Sequence, residues 1–313
     1  MVGEADRLIA PDAAGIARAA ELLRAGELVA VPTETVYGLA ARADSAEAVA
    51  KIYRTKGRPD FNPLIVHVAS LEQAERLALF DERAHRLAEA FWPGPLTMVL
   101  PARADSAIAP AVSAGLPTIA LRCPGHPVMA QLLDAVGLPL AAPSANRSLG
   151  VSPTRPEHVR ESLGEECPMI LDGGACAMGL ESTIVALRDD GAWNLLRPGP
   201  VGKAAVESIV GPESAASGAK IEAPGQMRKH YSPGKPVRLD ATEAGKEEYL
   251  IGFGAIAGNT NLSPEGDLAE AAARLYQCLH EAAAAQQPKI AVAPIPREGM
   301  GEAIADRLRR AAA

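Results

Sequence analysis

Short apolar runs recur through the first 210 or so residues, and only some are separated by a stretch with helical periodicity. This pattern constrains the fold more than any other feature. Strands joined through a helix run parallel, whereas strands that follow one another directly pair antiparallel. A chain that does both builds a mixed, twisted α/β sheet, not a plain doubly wound one. Strands are expected at residues 27–31, 64–68, 97–100, 118–122, 138–142, 169–171 and 182–187, with a further short strand before Arg197. Asp12 and Ser45 can cap helices running to Ala25 and Arg54. Further helices are expected at 71–77, 81–91, 153–163 and 202–210.

Residues 211–236 change character. Gly, Pro, Ser and Ala dominate, yet the stretch also holds Met227-Arg228-Lys229-His230-Tyr231, rich in binding groups for a spacer. From 237 onward a smaller α/β pattern follows: strands at 249–253 and 290–293, helices at 268–284 and 301–310. The expected organisation is a first domain over 1–210, a linker or lid over 211–236, and a small Rossmann-like α/β domain over 237–313.

Composition excludes several classes. The net charge of -7 argues against broad, non-specific nucleic-acid binding, although a local basic pocket is compatible with it. None of the four cysteines sits in a Cys-x-x-Cys pair, so a structural zinc site is not expected. No apolar segment is long enough to span a bilayer, and the first residues lack a signal-peptide layout; the expectation is a soluble cytoplasmic protein. The Gly-x-x-x-x-Gly-Lys-[Ser/Thr] loop, a Gly-x-Gly-x-x-Gly after the first strand, His-Glu-x-x-His and Gly-x-Ser-x-Gly are all missing. A nucleotide would have to be held another way.

The segment from Pro32 to His67 suggests how. The apolar run 28–31 leads into Pro32-Thr33-Glu34-Thr35-Val36-Tyr37-Gly38-Leu39. Lys51, Arg54, Lys56 and Arg58 then follow within eight residues with no acid among them, and the run Leu64-Ile65-Val66 ends in His67. Small polar groups at a strand end, facing a cationic loop, suit a polyanion and a small polar substrate. Similar material recurs at Thr118 and Arg122, at Ala142-Pro143-Ser144-Ala145-Asn146, at Ser152-Pro153-Thr154, at Glu181-Ser182-Thr183 and at Arg197. Serine and asparagine can bond phosphate oxygens or a ribose, and arginine can grip an anion in two places. Singly, these residues also fit a turn, a helix cap, a surface charge or a buried structural histidine, and those readings stay open at this level.

Taken together, Pro32 to Leu39, Lys56-Gly57-Arg58-Pro59, Asn62-Pro63-Leu64-Ile65-Val66-His67, Pro143-Ser144-Ala145-Asn146, Ser152-Pro153-Thr154 and Ser182-Thr183-Ile184-Val185 resemble the YrdC-like family in order and spacing. The linker and tail resemble the long, two-domain form of the L-threonylcarbamoyladenylate synthases. The resemblance implies a nucleotidyltransferase that makes threonylcarbamoyl-AMP and pyrophosphate from L-threonine, bicarbonate and ATP with Mg²⁺. It implies a product destined for threonylcarbamoyladenosine beside the tRNA anticodon, handed to a tRNA-modifying partner, with direct tRNA binding weak or absent. It implies threonine contacts at Thr35, His67, Arg122, Ala142 and Ser182. It implies nucleotide contacts at Arg58, Asn62, Thr118, Ser144, Asn146, Ser152 and Arg197, charge neutralisation by Lys56 and Arg58, and closure by Tyr231 or His230. The chain departs from the family pattern at Leu149, where Gly is common, which puts the local loop shape in question.

Overall fold

A computed structural model describes residues 7–214, 222–224 and 230–313. In chain order its elements are β1 (Leu8–Ile9), α1 (Ala13–Arg24), β2 (Val29–Val31), β3 (Gly38–Arg42), α2 (Ala46–Lys56), β4 (Ile65–His67), α3 (Leu71–Glu75) and α4 (Glu82–Phe91). Then come β5 (Leu96–Pro101), α5 (Pro110–Ser113), β6 (Thr118–Arg122), α6 (Pro127–Val136), β7 (Leu140–Ala141), α7 (Pro156–Leu163), β8 (Met169–Leu171), β9 (Thr183–Leu187), β10 (Trp193–Arg197) and α8 (Lys203–Val210). The tail adds β11 (Val237–Arg238), β12 (Glu248–Gly252), β13 (Thr260–Asn261), α9 (Leu268–Ala284), β14 (Lys289–Val292) and α10 (Met300–Ala311).

The large sheet is mixed, in the order β1-β8-β2-β3-β7-β4-β6-β5-β9-β10. β4 runs parallel to β6 and β5 to β9, whereas β2–β3, β4–β7, β5–β6 and β9–β10 pair antiparallel. The smaller sheet, β11-β14-β12-β13, is parallel throughout. Successive strand residues alternate between two cores, as pleating requires. Ala30, Leu39 and Ala41 pack with α2 and α4, while Val29, Val31 and Ala40 pack with α1 and α6. A third core joins the tail to loops of the large sheet: Val36, Val151, Leu180 and Tyr231 pack among residues of α9 and α10.

The capped helices follow from their first residues. Asp12 and Ser45 accept hydrogen bonds from Gly15 and Ala48, as expected of N-caps. α2 runs two residues beyond the expected Arg54 and ends at Gly57, whose left-handed backbone (φ 59°) turns the chain back toward the sheet. The expected helix at 153–163 begins only at Pro156, because proline suits the first helical position and holds the preceding Arg155 extended. α6 was not expected at all. Its cap is His126 Nδ1, which accepts from the Val128 amide, and its first residue is proline.

Candidate active-site cleft

The large sheet ends in a cleft lined by polar and charged side chains from several strand ends. Parallel pairing sets its centre: His67 and Arg122 are register partners at the carboxyl ends of β4 and β6, where α/β sheets place their ligands. After β2 the chain turns through Thr33, whose hydroxyl donates to Val36 O at 2.7 Å and accepts from the Thr35 and Val36 amides. That turn presents Thr35 Oγ1 to Arg122, which donates to it at 2.9 Å and to Gly94 O at 3.2 Å. Glu34 closes the set with an ion pair to Arg122 at 2.7 Å. Burial works to raise the Glu34 pKa, but the guanidinium holds it below its ordinary value. Burial, helped by the Arg122 charge, lowers His67 to about 3, so at neutral pH His67 is an uncharged hydrogen-bonding group.

Two further guanidiniums face the same cleft. Arg58 is 9% exposed and donates to the carbonyls of Asn62 and Pro63 at 3.2 and 2.9 Å. Arg197, the last residue of β10, donates to Ser182 O at 2.9 Å and to Ser182 Oγ at 3.0 Å. Ser182 Oγ is also 2.7 Å from Thr97 Oγ1. Among the described residues neither guanidinium has a carboxylate within ion-pair distance. Burial lowers the pKa of both, Arg58 to about 10. A buried cation solvated only by neutral oxygens is set up to receive an anion.

Of the expected site residues, Thr35, Arg58, His67, Arg122, Ala142, Ser144, Ser182, Arg197 and Tyr231 line this cleft. Five do not, among the described residues. Lys56 is buried, and its ammonium donates to Ser144 O and Asn146 O at 2.5 Å each, so it holds the 144–146 turn in place behind the cleft. Burial, with the nearby Arg58 charge, pushes its pKa well below the usual lysine value. Asn146 braces the same turn, donating to Arg147 O and Gly150 O. Ser152 donates to Glu181 at 2.5 Å. Asn62 is buried beside the Arg58 turn. Thr118 starts β6, whose last residue is Arg122, a separation of about 13 Å at strand rise.

The cationic loop expected at 51–58 is not one surface. Lys51 turns away to Glu27 and Gly26 O, and Arg54 lies with it in a separate depression, leaving Arg58 to face the cleft. Sequence reasoning gave no role to Thr33 or Glu34, although both stand in the motif it singled out.

His230 and Tyr231 both line the cleft, and Pro224 lines it with them. Met227, Arg228 and Lys229 lie outside the described residues. The His230 amide donates to Arg310 O at 3.3 Å and the Ser232 amide to Leu149 O at 2.8 Å, which pins this segment to both α10 and the loop after Asn146. Leu149 has φ 71°, so the loop keeps a glycine-like backbone even with leucine there. Tyr231 too has a left-handed backbone, φ 61°, and its hydroxyl is buried with no partner among the described residues.

Known proteins resemble this chain over most of its length. Residues 21–199 match the Sua5–YciO–YrdC family, described as telomere recombination. Residues 201–313 match the family described as threonylcarbamoyl-AMP synthase, C-terminal domain. The chain is 45% identical over 242 residues to the threonylcarbamoyl-AMP synthase of Bacillus subtilis, covering 75% of this chain and 69% of that protein. It is 37% identical over 320 residues to the enzyme of the same name from Pyrococcus abyssi, covering 94% and 92%. The solved structure of P. abyssi Sua5 complexed with L-threonine superposes with a TM-score of 0.89 at 34% identity, covering 97% of this chain and 96% of that one.

Proposed function

The chain belongs to the Sua5–YciO–YrdC family, and on that premise we propose that it is a threonylcarbamoyl-AMP synthase, a nucleotidyltransferase acting on L-threonine, bicarbonate and ATP. The observation that carries the reading is the pair of buried guanidiniums, Arg58 and Arg197, that face one cleft with no carboxylate within ion-pair distance of either among the described residues. They supply the charge that a triphosphate needs. The Arg122–His67–Thr35 cluster supports a second, smaller polar ligand on the same floor, and threonine is the ligand its relative carries.

The chemistry needs no side-chain nucleophile. The threonine amine adds to bicarbonate with loss of water, giving a carbamate. A carbamate oxygen then attacks the α-phosphorus; the bond to the β-phosphate oxygen breaks and pyrophosphate leaves. Attacking and attacked groups are both anionic, so positioning and charge neutralisation supply the catalysis. Arg122 and Thr35 would orient the amino acid, while neutral His67 would offer a hydrogen bond without adding charge. Arg58 and Arg197 would draw charge from the phosphates. Tyr231 and His230 would close the cleft and keep water from the mixed anhydride.

Among the described residues no group of three His, Cys, Asp or Glu side chains could cage a metal, and the carboxylates beside the cleft are engaged by Arg122 and Arg307. The cleft therefore fits a Mg²⁺ carried in on the triphosphate and its water, and not one caged by protein carboxylates. Bound there, it would screen the charge of the β- and γ-phosphates. The product fits threonylcarbamoyladenosine formation, and being a labile anhydride it would pass to a tRNA-modifying acceptor. Pyrophosphate release that requires both threonine and bicarbonate would support the reading; release without threonine would reject it.

A further inference from the structure

Arg307 of α10 plays no part in the chemistry above, yet its side chain is wholly buried. Its Nε donates to Glu181 Oε2 at 2.8 Å and its Nη1 to Asp306 Oδ2 at 2.9 Å. Its guanidinium carbon lies 5.3 Å from the centre of the Tyr231 ring, within cation–π range. Glu181 also takes hydrogen bonds from Tyr276 of α9 at 2.8 Å and from Ser152 at 2.5 Å. Glu181 itself lines the cleft, as Arg197 does, and the charges of Arg307 and Arg197 hold its carboxyl down at about 2, against burial. A buried ion pair can often be replaced by apolar residues without loss of stability, so folding alone does not account for one placed here.

We propose that Arg307 is a positioning residue for the nucleotide half of the cleft. It keeps Glu181 engaged so that the Arg197 charge stays available to a nucleotide, and it seats the Tyr231 ring over the site. Without Arg307, the Glu181 carboxylate would turn its charge on Arg197 and compete with the incoming anion. The amino-acid half would be spared, because Ser182 keeps its Thr97 contact and Arg122 keeps Glu34. The tail would thus contribute a charge that sets nucleotide affinity. This inference rests on the synthase reading for the identity of the ligand.

The test is calorimetric binding of ATP and, separately, of L-threonine to the full chain and to folded variants. Arg307→Met should weaken ATP by about tenfold or more and leave threonine within about twofold. Arg307→Lys should recover part of the loss. Adding Glu181→Gln to Arg307→Met should restore ATP affinity to within about threefold, because the competing charge is gone. A merely structural arginine would weaken both ligands together, and Glu181→Gln would not rescue it; that result overturns the proposal. If Arg307→Met does not fold, Tyr276→Phe removes one donor to Glu181 and should weaken ATP about threefold, whereas unchanged ATP binding overturns the role. A parent protein that binds both ligands but releases no pyrophosphate sinks the synthase reading and leaves these affinity ratios readable. A parent that binds no ATP overturns both.

Discussion

Replacing Arg58 by methionine should separate stability from function. The guanidinium is buried and held only by neutral carbonyl oxygens among the described residues. Burial pushes its pKa well below the ordinary arginine value, to about 10. At about 1.4 kcal/mol for each pH unit, the charge is kept at a cost on the order of a few kcal/mol. Methionine has a similar length and carries no charge to desolvate. Arg58→Met should therefore leave the free protein as stable as the parent or raise its stability by up to about 2 kcal/mol. With ATP the sign reverses. Losing a charge-assisted hydrogen bond to phosphate costs about 2–3 kcal/mol, about 30–150-fold in kcat/KM for ATP, with the threonine KM little moved. Urea unfolding of the free protein and initial rates at varied ATP read the two effects. A variant that loses more than about 2 kcal/mol of stability yet keeps its ATP kinetics would refute the reasoning and make Arg58 a strut for the 62–63 turn.

Arg122→Lys keeps the charge but loses the fork that reaches Thr35 and Gly94, so the threonine KM should rise about tenfold while the ATP KM stays near the parent's, as initial rates would show. Acid should destabilise the fold early. His67, His158 and His230 are each lowered to about 3, chiefly by burial, so between about pH 6.5 and 3 the unfolded chain takes up protons that the folded chain refuses. Stability should fall with pH through that window by up to about 1.4 kcal/mol per pH unit for each histidine, and the Glu181 contribution, present above about pH 4.5, should be lost toward pH 2. A melting temperature that is flat between pH 7 and 5 would contradict this. Gly179 has φ 68°, and a Cβ there would come within 2.5 Å of the Ala273 backbone in α9. Gly179→Ala should cost about 2–4 kcal/mol in urea unfolding, and a neutral change would show that the tail is not seated against that loop.

The sequence carried the elements whose signals are local. Asp12 and Ser45 announced their helices, and α9 spans the expected 268–284 because its apolar spacing is regular and Asp267 caps it. The mixed pairing followed from strands without intervening helices. α6 escaped notice because a histidine nitrogen is an uncommon cap. β3, Gly-Leu-Ala-Ala-Arg, escaped because small residues carry little strand preference. In the site, His67 and Arg122 were legible as polar groups closing apolar runs, and Arg58 as a cation of the 51–58 stretch set at a Gly-Pro turn. That Lys56 turns inward to hold the 144–146 turn was not, since its charge looks the same in sequence as that of Lys51. The meeting of Glu181 with Arg307 was hidden as well: they lie 126 residues apart, and neither stands in a distinctive pattern with the other. Such contacts come from how the tail packs on the large sheet, which local periodicity does not encode.

The most direct test of the central claim is mass spectrometry of the adenylate formed from ATP, Mg²⁺, L-threonine and carbon-13 bicarbonate. The account predicts threonylcarbamoyl-AMP carrying one labelled carbon, formed together with pyrophosphate and missing when threonine or bicarbonate is left out. An adenylate that forms without the label, or no adenylate from a folded protein that binds both ATP and threonine, would contradict it.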